Sequence, residues 1–194
     1  IKASHLEKNV TFALVSNLTL MDDEKLDYLI KHNIHISTSL DWDEETHNSN
    51  RTFKDWNSFD KVVHWINKIN KRYREEKFVD TGWDAKKVWA LVTVTKKTLP
   101  RYKELIDTYV WLWLDGVFLR PLKPYWFAAA DLKKLWYTSQ EFVDFYYKSM
   151  DYILEINKKW TKFREALSWI YLSKILTDKD PNYLDDRSPC GACI

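Results

Sequence analysis

The feature that most constrains this chain is an alternation of short apolar runs with longer segments whose apolar residues recur every three or four positions. Residues 10–15 (VTFALV) form the first run, and Leu26, Leu29 and Ile30 mark a helix face after it. Residues 34–40 (IHISTSL), 87–95 (KVWALVTVT) and 116–119 (GVFL) are three more runs. Helical stripes separate them: Val62, Val63, Ile66, Ile69 and Tyr73, then Tyr102, Leu105, Ile106, Tyr109 and Val110. Strands that read as buried runs, without strict apolar and polar alternation, suit a parallel sheet covered on its faces. Right-handed βαβ crossovers build from them either a doubly wound sheet or part of a β/α barrel. The expected fold class is therefore α/β with parallel strands. In both architectures ligands bind at the carboxyl ends of the strands. That directs attention to residues 16–19, 39–51, 93–96 and 120–124.

The flanking residues predict several boundaries. Thr19 and Asp22 can form a capping box ahead of the first helix, and Thr138 with Glu141 can cap a long helix reaching about residue 156. Phe163, Ala166, Leu167, Ile170 and Tyr171 mark one more helix. Residues 41–57 carry no apolar periodicity and read as a long loop. Residues 178–194 read as a loop leading into another module.

Composition narrows the function. With 194 residues, 45% hydrophobic and 30% charged, the chain can bury one sizeable core. Its 30 basic and 28 acidic residues are scattered, so no basic stripe for a nucleic acid is present. No apolar stretch approaches the roughly 20 residues of a membrane-spanning helix. Neither a nucleic acid nor a membrane is an expected partner. Cys190 and Cys193 are the two cysteines, which excludes a disulfide scaffold and points to a reducing cytoplasm. As a Cys-x2-Cys pair they could be half a zinc site, a redox pair or the start of a cluster ligand set. His5, His32, His35 and His64 show no metal-ligand spacing, and His47 in its loop reads first as structural. Residue 1 is Ile with no leader pattern, so the start of a longer protein is expected upstream.

In order, the strand ends carry Ser16-Asn17-Leu18-Thr19-Leu20-Met21, then Ser39-Leu40-Asp41-Trp42, His47-Asn48 and Arg51, and finally Arg187-Ser188-Pro189-Cys190-Gly191-Ala192. This series resembles the radical S-adenosylmethionine (SAM) enzymes of the peptide-maturing branch. These are the anaerobic sulfatase-maturase-like proteins with a Cys-rich, SPASM-type extension. The matching family segments are a Thr-Asn-Gly-Thr-Leu-Leu turn, a Ser-hydrophobic-Asp-Gly strand end followed by His-Asp or His-Asn and Arg, and the first cysteine of the auxiliary-cluster domain. The wording SNLTLMDDEKLDYL with FLRPL is most similar to maturases of the His-Xaa-Ser peptide system. The resemblance covers nearly the whole chain. It implies a partial (β/α) TIM-like barrel lacking the first βα units over residues 1–177, and the start of a SPASM-type domain at 178–194.

The same resemblance implies the chemistry. A reduced [4Fe–4S] cluster splits SAM to a 5′-deoxyadenosyl radical, which takes hydrogen from a peptide or small protein substrate. The electron comes from a donor such as flavodoxin or ferredoxin. The Cys-x3-Cys-x2-Cys loop for that cluster and the Gly-Gly-Glu-Pro type segment belong upstream of Ile1, so this chain by itself is expected to be inactive. Ser39 and Arg51 fall to the SAM cradle, a hydroxyl and a planar guanidinium suited to a carboxylate. Asn17, Asp41 and Arg120 are further cofactor-binding candidates, with Cys190 and Cys193 as auxiliary-cluster ligands. Local chemistry offers other roles: an Asx turn for Asn17 or Asp41, a solvated cation for Arg51, an ion pair for Arg120. Two functions compete with the radical enzyme, namely a non-catalytic α/β scaffold or interaction module and an ordinary barrel lyase or isomerase. The latter should show a lysine or a carboxylate pair at strand ends, and none stands out.

One imbalance needs a cause: Gly is 3 and Trp is 11, where usual glycine usage of about 7% gives on the order of a dozen. Trp42, Trp113, Trp126 and Trp160 stand where the family pattern or turn chemistry wants glycine. One expectation is that these are UGA codons that mean glycine in the source, written here as Trp. The alternatives are a genuinely Trp-rich protein, with Trp65, Trp89 and Trp169 at ordinary helix or strand positions, or an aromatic sugar-binding platform.

Overall fold

A computed structural model describes residues 12–51, 57–76, 87–123, 132–159 and 161–177. Its strands are β1 (Phe12–Ser16), β2 (Ile34–Ser39), β3 (Trp89–Thr93), β4 (Gly116–Arg120) and β5 (Arg164–Glu165). Its helices are α1 (Asp23–Lys31), α2 (Glu44–Asn50), α3 (Ser58–Glu75), α4 (Tyr102–Trp111), α5 (Leu132–Leu135), α6 (Ser139–Lys158) and α7 (Ala166–Thr177). A 3-10 turn, Leu99–Arg101, leads into α4.

The five strands make one sheet in the order β1-β2-β3-β4-β5, every pair parallel. The sheet is not closed. Sequential order with helical connections is what repeated right-handed βαβ crossovers produce. The expected α/β class with parallel strands is therefore what forms, as an open portion of a β/α barrel.

Local chemistry explains the boundaries. Asp22 caps α1 by accepting from the Lys25 N–H at 2.8 Å, and Asp23 and Glu24 in the first turn with Lys31 in the last complement the helix dipole. The expected box between Thr19 and Asp22 does not form. Thr19 instead gives both its N–H and its hydroxyl to Asn17 Oδ1. The box at Thr138 and Glu141 does form. Residues 41–57 are not all loop, since Asp43 caps α2 by accepting from the Thr46 N–H at 2.8 Å. α2 is too short to show a period, with Thr46 and His47 as its buried residues. β5 was hidden for a similar reason: two residues make no apolar run, and α7 starts at Ala166, after Phe163.

Register sorts the side chains by face, because alternate residues of a strand point to opposite sides. Thr38 is level with Ser16 and Ala90, and Ala90 with Val117. This row shares a face with Ile36, Val92 and Leu119, which are buried to 2% exposure or less. Packed over that face are Leu26, Leu29 and Ile30 of α1, Val62, Ile66 and Ile69 of α3, and Leu105 and Ile106 of α4, all within the same core cluster. The other face holds the buried Gly116 and, not buried, Ser37, Ser39, Trp89, Leu91, Thr93, Phe118 and Arg120. One side of the sheet is thus a core wall, and the other is the more open one among the described residues.

Candidate functional site

The site grows from the end of β2. Leu40 still donates to Leu91 O at 3.2 Å, and the chain then turns over the end of β3 and points Asp41 into the protein. Asp41 is 1% exposed. A carboxylate at that depth needs partners, and it has several. Oδ1 accepts from the Thr93 N–H at 3.1 Å, and Arg51 donates Nε to Oδ2 at 2.8 Å and Nη2 to Oδ1 at 3.1 Å. The planar guanidinium meets the carboxylate as a fork, the strong and directional form of this pair. Arg51 sits at the C-cap of α2, so this contact fixes the helix across the carboxyl end of β3.

The backbone of the same turn is also held. His47 Nδ1 accepts from the Asp41 N–H at 3.1 Å, and its ring lies edge-on to Phe59. The ring is buried, and burial lowers its pKa to about 4, opposed by the Asp41 charge and aided by Arg51. Tyr109 of α4 donates its hydroxyl to Leu40 O and accepts from the Trp42 N–H at 3.3 Å. Burial raises the Tyr109 pKa well above its ordinary value, so it remains a donor. Trp42 is buried as well, with the Arg101 guanidinium carbon 4.1 Å from its ring centroid.

The sequence candidates divide into two groups. Ser39 and Arg120 lie on the open face at the carboxyl end of the sheet, beside Leu91, Thr93 and Phe118. Thr93 pairs with Arg120 and Ser39 with Leu91, and the Arg120 guanidinium carbon is 5.6 Å from the Phe118 centroid. Asn17 is exposed just past β1 at the same end, with Oδ1 in an Asx turn to Thr19. Asp41 and Arg51 form the second group, a clamp that holds the turn. Cys190 and Cys193 lie outside the described residues.

Tyr109 and the Thr93 N–H were not candidates. Tyr109 reads as one more core position of α4, and a backbone donor leaves no trace in a sequence. A cavity of about 530 Å3 lies between β1 and α1, lined by Leu14, Ser16, Tyr28 and Leu29 among others. Leu14 and Ser16 belong to the helix-covered face, so this cavity is separate from the Ser39 and Arg120 side.

No protein-family model matches the chain, and no curated protein matches it. Solved structures do. The anaerobic sulfatase-maturating enzyme anSMEcpe with bound AdoMet superposes with a TM-score of 0.71 at 17% identity, over 93% of this chain and 46% of that one. The same enzyme with AdoMet and the Kp18Cys peptide gives 0.73 at 17%, over 93% and 47%. The chain has the fold of a radical SAM partial barrel. SuiB of Streptococcus suis bound to its precursor peptide SuiA, a more distant case of this fold, gives 0.55 at 15%, over 81% and 32%. The chain thus spans less than half the length of the anSMEcpe chain and about a third of SuiB.

The open face fits part of what such a fold carries. A hydroxyl, an exposed guanidinium and the apolar Leu91 and Phe118 suit a zwitterionic amino acid joined to a nucleoside. An iron–sulfur cluster finds no ligand set among the described residues, where no group of three or more His, Cys, Asp or Glu could hold a metal ion. No helix among them is long and apolar enough to cross a membrane.

Proposed function

We propose that this chain is part of a SPASM-type radical SAM enzyme that modifies a peptide or small protein, within the anaerobic sulfatase-maturase-like branch and closest in kind to His-Xaa-Ser maturases. The observation that carries the reading is the all-parallel sheet whose carboxyl end gathers Ser39, Thr93 and Arg120 on one open face beside the Asp41–Arg51 clamp. The likeness in fold to AdoMet-bound structures supports it. When bound, SAM supplies the adenosyl radical that takes hydrogen from the substrate.

This chain's residues bind and orient. The Ser39 hydroxyl can donate to or accept from the ligand's amino acid end, and the Arg120 guanidinium suits its carboxylate. Asn17 flanks the same rim from β1. Asp41 and Arg51 hold the turn after β2 rigid, and the outer edge of the Arg51 guanidinium is available to a ligand. The helices behind the sheet keep water from its core side, while the open face receives substrate. Ligands for the catalytic cluster lie outside this chain, Cys190 and Cys193 serve an auxiliary cluster, and an electron donor such as flavodoxin or ferredoxin completes the system in the cytoplasm.

The test is to purify the full-length protein without oxygen and assay iron, labile sulfide and release of 5′-deoxyadenosine from SAM. Iron and sulfide in equal amounts with SAM cleavage are expected. A protein without iron, whose upstream region lacks the three-cysteine loop, is a scaffold or an ordinary barrel enzyme and overturns the reading.

A further inference from the structure

Four non-glycine residues among those described have positive φ: Leu18 (56°), Asn33 (53°), Trp42 (69°) and Trp113 (56°). This left-handed region is uncommon for residues with a Cβ, and asparagine is among the side chains that enter it most readily. Asn33 follows the C-cap of α1 and is an ordinary occupant. Leu18 is fully buried, so packing of its side chain offsets the backbone cost. Trp42 is buried too, at 3% exposure, so packing shares in offsetting its cost, whereas the exposed Trp113 has no such compensation.

Trp113 follows the C-cap of α4, Leu112, and the hydrogen bonds there define the turn. The Trp113 N–H donates to Val110 O at 3.0 Å and the Leu114 N–H to Tyr109 O at 3.1 Å. These are the two bonds of a Schellman motif, which places its left-handed residue at position 113 and takes glycine there by preference. Burial of the indole cannot explain a tryptophan at that point, since Trp113 is 59% exposed. The backbone itself is pinned from the other side, where Asn70 Nδ2 donates to the Leu112 and Trp113 carbonyls and Asn70 Oδ1 accepts from the Val88 N–H. The turn therefore requires this conformation whatever side chain it carries. Trp42 is at the matching kind of place beside the site, where the chain leaves β2 and must turn so that Asp41 is held by Arg51 and Asp43 caps α2.

Two of the four positive-φ residues are thus tryptophan, in a chain with 11 Trp and 3 Gly. We infer that positions 42 and 113 are glycine in the protein its source organism makes, encoded by UGA in a code where that triplet means glycine. Trp65 in α3, Trp89 in β3 and Trp169 in α7 have no positive φ and carry no such implication. At position 42 the exchange reaches the site, because it removes the buried indole now lying under Arg101, next to Asp41.

The test reads the gene and the mature protein together. Codons 42 and 113 are sequenced from source DNA, and the peptides spanning them are analysed by tandem mass spectrometry of protein isolated from that source. UGA at both codons with glycine at both positions is the expected result. UGG at either codon, or tryptophan at either position in the isolated protein, overturns the inference. Neither readout depends on SAM binding, so this inference and the proposed function stand or fall separately.

Discussion

His47 is buried with Nδ1 committed to the Asp41 N–H, and its pKa of about 4 lies below the value of about 6.5 for an unfolded chain. Between those values the unfolded state binds the proton and the folded state does not. Stability is therefore full above about pH 6.5, falls as the pH drops toward 4, and loses no more from this group below that. The full swing is roughly 2–4 kcal/mol. His47→Asn keeps an acceptor for the Asp41 N–H and removes the titration. Urea midpoints measured from pH 7 to 4 should fall less steeply for that variant, and equal slopes would contradict the assignment. Residue types revealed the loop of 39–51 as a place of interest, and the Asx turn at Asn17 was legible as a local alternative. The Asp41–Arg51 fork was not, because a pairing across ten residues depends on how the chain folds over β3.

Among the elements, β5 is two residues long, and one side chain largely secures it. Glu165 is 2% exposed and accepts from the Leu119 N–H of β4 at 3.2 Å, the Tyr146 hydroxyl of α6 at 2.6 Å and the Ser168 N–H of α7 at 2.7 Å. Burial and the Glu165 carboxylate together raise the Tyr146 pKa, so the phenol remains a donor. Glu165→Ala leaves three donors without their acceptor, two of them backbone, and should cost about 2–4 kcal/mol. Chemical denaturation measures it, and a loss below about 0.5 kcal/mol would show that β5 is held by other means. α3, α4 and the long α6 were legible because each repeats an apolar stripe over at least two turns, and α1 because a shorter stripe follows a clear cap. α2 and β5 were not, since α2 carries no apolar residue and a two-residue strand has no period to read, and tertiary contacts such as Asn48 to Ser58 decide them.

The whole molecule behaves as one wall with two faces. Parallel pairing in sequential order puts every strand's carboxyl end on one edge, and helices seal one side, so the polar side chains at that edge on the open side share a common space. This arrangement could be anticipated from the buried runs and their helical spacers. Which of the two parallel architectures forms could not, since the difference lies in curvature and in strands beyond a local pattern. The central claim is that Ser39 and Arg120 face one ligand. Its most direct test is the affinity of the anaerobically purified full-length protein for SAM, measured beside Ser39→Ala and Arg120→Ala. Both substitutions lie on the open face and should leave the unfolding midpoint unchanged. The expected result is binding by the unaltered protein, weakened about tenfold or more by each change, as the loss of one hydrogen bond or charge contact implies. Unchanged affinity in both variants, or no binding of SAM by the unaltered protein, would contradict the account.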